Sequence, residues 1–410
     1  MTSKKQRKVP ELRFRGFTDD WEQRKLSSIV TRVTRKNTGL VSDLPLTISA
    51  QDGLVDQVTY FNKRVASKNM EHYLLLLNGE FAYNKSYSKD YPWGAIKRLD
   101  MYPRGALSTL YIAFKPTSVN SEFLVAYYET SNWYKQVSER AAEGARNHGL
   151  LNIAPHDFFD TRLLIPKTDD EQRSIGLFIK KLDHTIALHQ RKQSLLKKLK
   201  QGYLQKLFPQ KGQRQPELRF PGFADDWEQR KFSNLVKKVG KHPSVPGDYT
   251  AYSVSNVDGL IPQTQQFDGS RLDVLDKSAY KVVNPGEFAY NPARINVGSV
   301  AYNDLEFPVL VSSLYVVVRM DQAIDDEFIL QFIRSPQFLK EVRRNTEGSV
   351  REYLFFDNFK NVRFPFALNI EEQQKVGSFL RTMDDTIALH QQEIDRLQQL
   401  KQGYLQKMFV

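Results

Sequence analysis

A long internal duplication constrains this chain more than any other feature. PELRFRGFTDDWEQRKL (Pro10–Leu26) returns as PELRFPGFADDWEQRKF (Pro216–Phe232), identical at fourteen of seventeen positions and offset by 206. GEFAYN (Gly79–Asn84) returns at Gly286–Asn291, and STLYIAFKP (Ser108–Pro116) is echoed by SSLYVVVRM (Ser312–Met320). SEFLVAYYETSNWYKQV (Ser121–Val137) is echoed by DEFILQFIRSPQFLKEV (Asp326–Val342), and LKQGYLQKLF (Leu199–Phe208) becomes LKQGYLQKMF (Leu400–Phe409) at an offset of 201. A period near 205 is far beyond the roughly 20–50 residues of a solenoid repeat. Each copy is therefore a complete domain followed by a helix.

The copies are unequally alike. Their ends are nearly duplicated, whereas the middles, Ser27–Arg162 against Ser233–Arg363, match mainly in apolar pattern. A shared apolar pattern keeps a fold while the surface chemistry changes. Duplicated ends imply one kind of partner met twice, and divergent middles imply two different things being read.

The middles read as α+β. Gly105–Lys115 carries Leu110, Ile112 and Phe114 on alternate positions, a strand pattern with a counterpart at Val309–Arg319. Ser121–Val137 reads as a helix with Ser121 as N-cap. Trp21 and Trp227, in the duplicated leading segment, read as core, and Trp93 as a packing anchor. From Glu171 to Phe208 a 4-3 spacing picks out Ile175, Ile179, Leu182, Ile186, His189, Gln193, Leu196, Lys200, Tyr203 and Leu207. The second copy gives Val376, Leu380, Met383, Ile387, His390, Ile394, Leu397, Lys401, Tyr404 and Met408. This is the heptad seam of a coiled coil, a rod of roughly 57 Å at ~1.5 Å per residue. His189 and His390 read as a polar layer fixing register. Gly202 and Gly403 predict a kink or fraying near the end of each rod, and Pro209 ends the first. With the second domain lying between them, the two helices are expected to pair antiparallel.

Charge points to a polyanion. The chain has 410 residues, is 40% hydrophobic and 12% aromatic, and carries a net charge of +12, a balance that favours nucleic acid as partner. Between His184 and Pro216 there is no acid but eight Lys and Arg. The absence of cysteine excludes disulfides and thiolate chemistry and fits a cytoplasmic protein. The first residues, MTSKKQRKVP, lack the apolar core of a secretory signal, and the longest apolar run, Tyr73–Leu77, is too short to span a membrane.

No motif for catalysis stands out. There is no GxxxxGK[ST], no GxGxxG after a strand and no HExxH. Asn291-Pro292-Ala293-Arg294 has only a faint likeness to the NPPY-type loop of amino-methyltransferases, lacking its second proline and its aromatic. No metal site and no catalytic residue is assigned. Base edges are read by Arg, Lys, Asn, Gln, Ser and Thr, and two stretches in each middle carry that chemistry. In the first copy they are the loop with Asn84, Lys85, Ser86, Tyr87, Lys89, Lys97 and Arg98, and the later segment with Arg140, Arg146, Asn147 and His148. Their counterparts hold Asn291, Arg294 and Asn296, then Arg343, Arg344, Asn345 and Arg351.

The motif PELRF.GF.DDWEQRK, the helix starts Glu171-Gln172 and Glu372-Gln373, and the tail LKQGYLQK together resemble the specificity (S) subunits of type I restriction-modification systems, over nearly the whole chain. The resemblance implies two target-recognition domains, each reading half of a split, asymmetric double-stranded DNA target, with the paired helices as a ruler. It implies docking of two methyltransferase (modification) subunits and, in the full complex, of restriction (motor-nuclease) subunits. Adenosylmethionine, ATP and magnesium are then cofactors of those partners, with none in this chain. On this reading the leading segment is 1–26, the first recognition domain 27–168, the central helix 169–208, the linker 209–215, the second domain with its leading segment 216–368, and the C-terminal helix 369–410. Two other readings stand beside it: a free-standing nuclease or methyltransferase, and a coiled-coil scaffold that binds DNA without sequence preference.

Overall fold

Large-small alternation in the GEFAYN repeat sets the layering of each domain. In a strand, successive side chains point to opposite faces, so Phe81 and Tyr83 enter one core while Ala82 enters another. Phe288 and Tyr290 part from Ala289 in the same way. The computed structural model describes residues 8–86, 91–141, 151–244, 249–255, 259–266, 277–346 and 353–410. It divides into two compact units, Met1–His189 with Glu393–Val410, and Gln190–Gln392.

The first unit contains strands β1 (Glu22–Lys25), β2 (Val30–Arg32), β3 (Pro45–Ser49), β4 (Gly53–Asp56), β5 (Leu74–Leu77), β6 (Phe81–Asn84), β7 (Ala95–Arg98), β8 (Arg104–Leu107), β9 (Ile112–Pro116) and β10 (Arg162–Ile165). Short helices α1 (Gln57–Phe61), α2 (Ser121–Tyr127), α3 (Tyr134–Ser138) and α4 (Pro155–Phe159) precede the long helix α5 (Asp169–Lys206). Two four-stranded sheets, in the orders β2-β9-β6-β7 and β4-β3-β8-β5, enclose the small Ala- and Leu-rich core. The other face of β6 and β9 packs on an aromatic core of Trp21, Phe114, Phe123 and Phe158. β1 pairs only with β10, which ties the leading segment to the root of α5.

The second unit contains β11 (Glu228–Lys231), β12 (Val236–Val239), β13 (Tyr252–Ser255), β14 (Gly259–Pro262), β15 (Lys281–Val283), β16 (Phe288–Tyr290), β17 (Val300–Tyr302), β18 (Val309–Val311), β19 (Val316–Met320) and β20 (Arg363–Phe366), with two-stranded pairs β13-β14 and β15-β18 in place of a second four-stranded sheet. Its helices are α6 (Gln263–Gln266), α7 (Asp326–Ile333), α8 (Pro336–Asn345), α9 (Phe356–Phe359) and the long α10 (Ile370–Met408). The sheet β12-β19-β16-β17 matches β2-β9-β6-β7, and β11 pairs with β20 as β1 does with β10.

Three sequence expectations are corrected. Gly105–Lys115 is not one strand: β8 and β9 belong to different sheets, Tyr111 N bonds Ser108 O across the turn, and Leu110 is 63% exposed. The same break separates β18 from β19. Ser121–Val137 is two helices, α2 and α3, and its cap is Asn120, whose side chain accepts from Glu122 N and Phe123 N. Gly202 and Gly403 do not end their helices, which run on to Lys206 and Met408. Packing of Leu204, Leu207, Leu405 and Met408 into the cores holds those last turns, outweighing the ~1 kcal/mol propensity penalty of a glycine.

The last turns of α10 complete the first unit. Leu12 N bonds Lys407 O at 2.9 Å, and Phe409 packs edge-on to Trp21 with ring centroids 6.3 Å apart. In the second unit Leu218 N bonds Lys206 O at 2.9 Å, and Phe208 meets Trp227 at 6.2 Å. The duplicated tail and the duplicated leading segment are thus two halves of one joint. Truncating a buried Phe typically costs about 3–5 kcal/mol. Phe409→Ala should therefore raise hydrogen exchange in Pro10–Leu26 and leave Pro216–Phe232 protected, and Phe208→Ala should do the reverse, both measured by mass spectrometry.

Candidate nucleic-acid interface

The frame that carries the interface is built from a repeated set of buried polar bonds. Arg13 grips Glu171 with two bonds, at 2.6 and 2.8 Å, and donates to Asp19 O at 2.7 Å. Arg219 grips Glu372 at 2.7 and 2.9 Å and donates to Asp225 O at 2.7 Å. Such forked pairs combine strength with directional specificity. Next to them Gln172 donates to Pro166 O and accepts from Asn120 N, and Gln373 donates to Ala367 O and accepts from Asp325 N. Each Glu-Gln pair therefore joins the leading segment, the strand before the long helix and the start of α2 or α7.

Two loops converge on this frame in each unit. Leu151 N bonds Lys85 O at 2.9 Å, and Leu354 N bonds Pro292 O at 3.0 Å. The stretch after β6 and the stretch after α3 are thereby joined, as are their counterparts after β16 and α8. Asn84 and Asn291 act in the turn itself, their Oδ1 atoms accepting from Ser86 N and Ala293 N, each at 3.0 Å. Gly94 closes against the same place: with φ +78°, an added Cβ would stand 2.0 Å from Asn84 O.

The residues proposed from sequence fall into distinct environments. Arg98 is only 10% exposed and bonded to Asp100, Ser121 and Glu122, so it holds the start of α2. Arg140 bonds the Gln136 carbonyl and side chain. Lys85 and Lys97 are half-buried, and burial lowers both ammonium pKa values. Asn345 donates to Glu341 O, and Arg344 pairs with Glu341. Asn296 is half-buried in a short turn, while Ser86, Arg294 and Arg343 are exposed. Tyr87, Lys89, Arg146, Asn147, His148 and Arg351 lie outside the described residues.

Inside each unit the seam of α5 and α10 segments carries matched contacts. Tyr404 packs edge-on to Phe178 at 4.8 Å in the first unit, and Tyr203 to Phe379 at 5.0 Å in the second. Further along, Ile186 meets Ile394 and Leu397, and Gln193 donates to Gln391. The partner index falls as the other rises, so the segments run antiparallel in each unit. Ile175, Ile179, Val376, Leu380 and Met383 are buried, whereas Leu182, His189, Leu196 and Ile387 are half-buried and His390 faces a similar environment. Charges are matched too: Lys401 sits between Asp183 and Glu129, and Lys200 bonds Asp384 at 2.5 Å. Asp183 and Asp384 escaped the sequence reading, although their common 201 offset marks them.

These charged layers titrate unequally. Burial, then the neighbouring Glu129, raises the Asp183 carboxyl. Burial alone would lower the Lys401 ammonium, but Glu129 and Asp183 outweigh it and leave it raised. Both raised groups contribute stability below their ordinary pKa values that is lost as pH rises through the shifted ones.

Residues 226–399 match the type I restriction modification DNA specificity domain. Over 93% of its length the chain is 20% identical to the type I restriction enzyme MjaVIII specificity subunit of Methanocaldococcus jannaschii, covering 90% of that protein. The fold matches the S subunit of a type I restriction-modification system from M. genitalium with a TM-score of 0.62 and 12% identity, over 98% of this chain and 99% of that one. A chain from a structural study of type I restriction-modification complex assembly and conformational transition matches with a TM-score of 0.52 and 15% identity, over 95% and 97%. A duplicated α+β domain on a long-helix frame defines the fold class. Over nearly its whole length the chain is thus similar to specificity subunits of type I restriction-modification systems. Among the described residues no helix is long and apolar enough to cross a membrane.

Removing Lys401 leaves two partly buried carboxylates facing each other. Breaking a buried pair costs about 3–5 kcal/mol; with Asp183 42% exposed, about 1–3 kcal/mol is expected for Lys401→Met at pH 7. The penalty should shrink as the pH is lowered and Asp183, whose carboxyl is raised, takes up a proton, a trend that chemical denaturation at several pH values would read.

Proposed function

We propose that this chain reads a two-part, non-palindromic DNA target, one part with each unit, and that it carries no catalytic centre of its own. One observation carries the reading: the same backbone joint, Lys85 to Leu151 and Pro292 to Leu354, presents loops of different sequence in two copies of one frame. A frame kept constant while its loops diverge suits one task applied to two sequences. Among the described residues, Ser86, Arg294, Arg343 and Arg344 are the exposed members of the reading set. Methylation of adenine from adenosylmethionine, and ATP- and magnesium-dependent cleavage, are assigned to methyltransferase and restriction subunits in the cytoplasm.

The duplicated helix ends supply the seats for two methyltransferase subunits. Leu12, Leu400, Gly403 and Tyr404 line an apolar groove of about 480 Å³ in the first unit. Leu199 and Leu218, their counterparts, are 50% and 41% exposed in the second. Gly202 and Gly403 are helical, and an added Cβ at either would meet nothing within 4 Å. Internal packing therefore does not require glycine there, and its retention in both copies fits the close approach of another protein.

Co-expression with the methyltransferase and sequencing of modified adenines tests the reading. The expected result is a split, asymmetric site, and a palindrome would overturn it. Exchanging the Asn291–Asn296 and Arg343–Leu354 segments should change one half of that site only. If ~6–10 phosphates are held, affinity should fall ~10³–10⁵-fold between 50 and 200 mM salt. Gly403→Ala should stabilise the free chain by up to ~1 kcal/mol. Gly403→Leu should reduce the bound methyltransferases from two to one, as weighed by native mass spectrometry.

A further inference from the structure

Within the divergent middles one exposed basic set recurs. Arg32, Arg35 and Lys36 of RVTRK match Lys238, Lys241 and His242 of KVGKH at an offset of 206, and Lys115 matches Arg319 at 204. All eight side chains are exposed. Their backbone settings agree, because β2 pairs with β9 so that Thr31 faces Lys115, and β12 pairs with β19 so that Lys237 faces Arg319.

In each unit a buried glutamate at the start of the GEFAYN repeat fixes one arginine of the set. Arg35 binds both oxygens of Glu80 at 2.9 and 2.7 Å, and Arg319 reaches Glu287 at 2.6 Å. That neutralises one cation per unit. Among the described residues, Arg32, Lys115, Lys238 and Lys241 have no carboxylate within ion-pair distance. In the second unit Lys238, Lys241, His242 and Arg319 line one concave surface of about 760 Å³. Lys281 stands beside it, its ammonium lowered by burial and by the neighbouring Lys238.

Edge protection explains only part of this. β2 and β12 are edge strands, where cationic side chains discourage pairing with other chains. Lys36, Lys241 and His242 follow the strands, however, and Lys115 and Arg319 lie on inner strands. The cations of the set left without an ion-pair partner call for an anion. Base readers must differ when the two target halves differ, whereas phosphate contacts need not, since the DNA backbone is the same everywhere.

We propose that this recurrent set is the grip each unit exerts on the phosphodiester backbone of duplex DNA, separate from the base-reading loops. The inference rests on the DNA-reading function above. Its test uses the assembled complex with its methyltransferase subunits, carrying Arg32→Gln with Lys115→Gln, or Lys238→Gln with Lys241→Gln. Arg35 and Arg319 stay, so the buried glutamates keep their partners. Each pair of substitutions should make the slope of log affinity against log salt shallower by ~1.8, ~0.9 per lost contact. Target and non-target DNA should weaken by the same factor, the methylated sequence should stay the same, and Lys238→Arg with Lys241→Arg should restore the slope. An unchanged slope, or a weakening confined to target DNA, would overturn the grip alone. Absence of DNA binding by the unaltered complex would overturn both the grip and the function beneath it.

Discussion

Burial of one phenylalanine against one tryptophan closes each unit, and the rest of the architecture depends on that joint. Phe409 and Phe208 stand at the ends of the long helices, Trp21 and Trp227 in the leading segments. Around them the forked Arg-Glu pairs fix the angle at which the leading segment crosses the root of the helix. Neighbours in one packed network do not change independently. A substitution in the tail must suit the leading segment, and one in the leading segment must suit Glu171 or Glu372. This coupling accounts for the near identity of the repeat ends while the middles drifted.

The four helix glycines separate internal from external constraint. At Gly176 an added Cβ would stand 2.5 Å from Phe123 N, and at Gly377 2.7 Å from Phe328 N. Those glycines let α2 and α7 press their first turns against the long helices, and the domain itself demands them. Gly202 and Gly403 stand in open space, in helices that would be firmer with alanine. Identical residues in the two copies thus have two different physical reasons, one inside the unit and one on its surface.

Much of the frame was legible because it rests on periodicity and repetition. The seam of Ile175, Ile179, Val376 and Leu380 and the core tryptophans follow from spacing that burial preserves. Illegible features were those decided by tertiary geometry. Leu110 fits an alternating pattern yet lies in a turn, because β8 and β9 serve different sheets. Arg98 has the chemistry of a base reader but is taken by Asp100, Ser121 and Glu122, whose approach depends on where α2 docks. Asn84 also forms the turn, its Oδ1 accepting from Ser86 N, a role its sequence context did not show. The recurrent cations of RVTRK and KVGKH were overlooked because a set that differs in residue type and agrees in charge does not register as identity.

The loops are attached in a way that lets their side chains vary. Their joints, Lys85 O to Leu151 N and Pro292 O to Leu354 N, are bonds between main-chain groups, which every residue type can supply, proline excepted as donor. The one side chain both turns require is the asparagine that closes GEFAYN, and it is retained in each copy. Beyond it, and Gly94 beside Asn84 in the first unit, the bonds of the joint are main-chain ones. Loops attached this way can differ in sequence while Tyr83 and Tyr290, which directly precede the two asparagines, keep matching places in the aromatic cores. Two different loop chemistries thereby stand on one repeated frame.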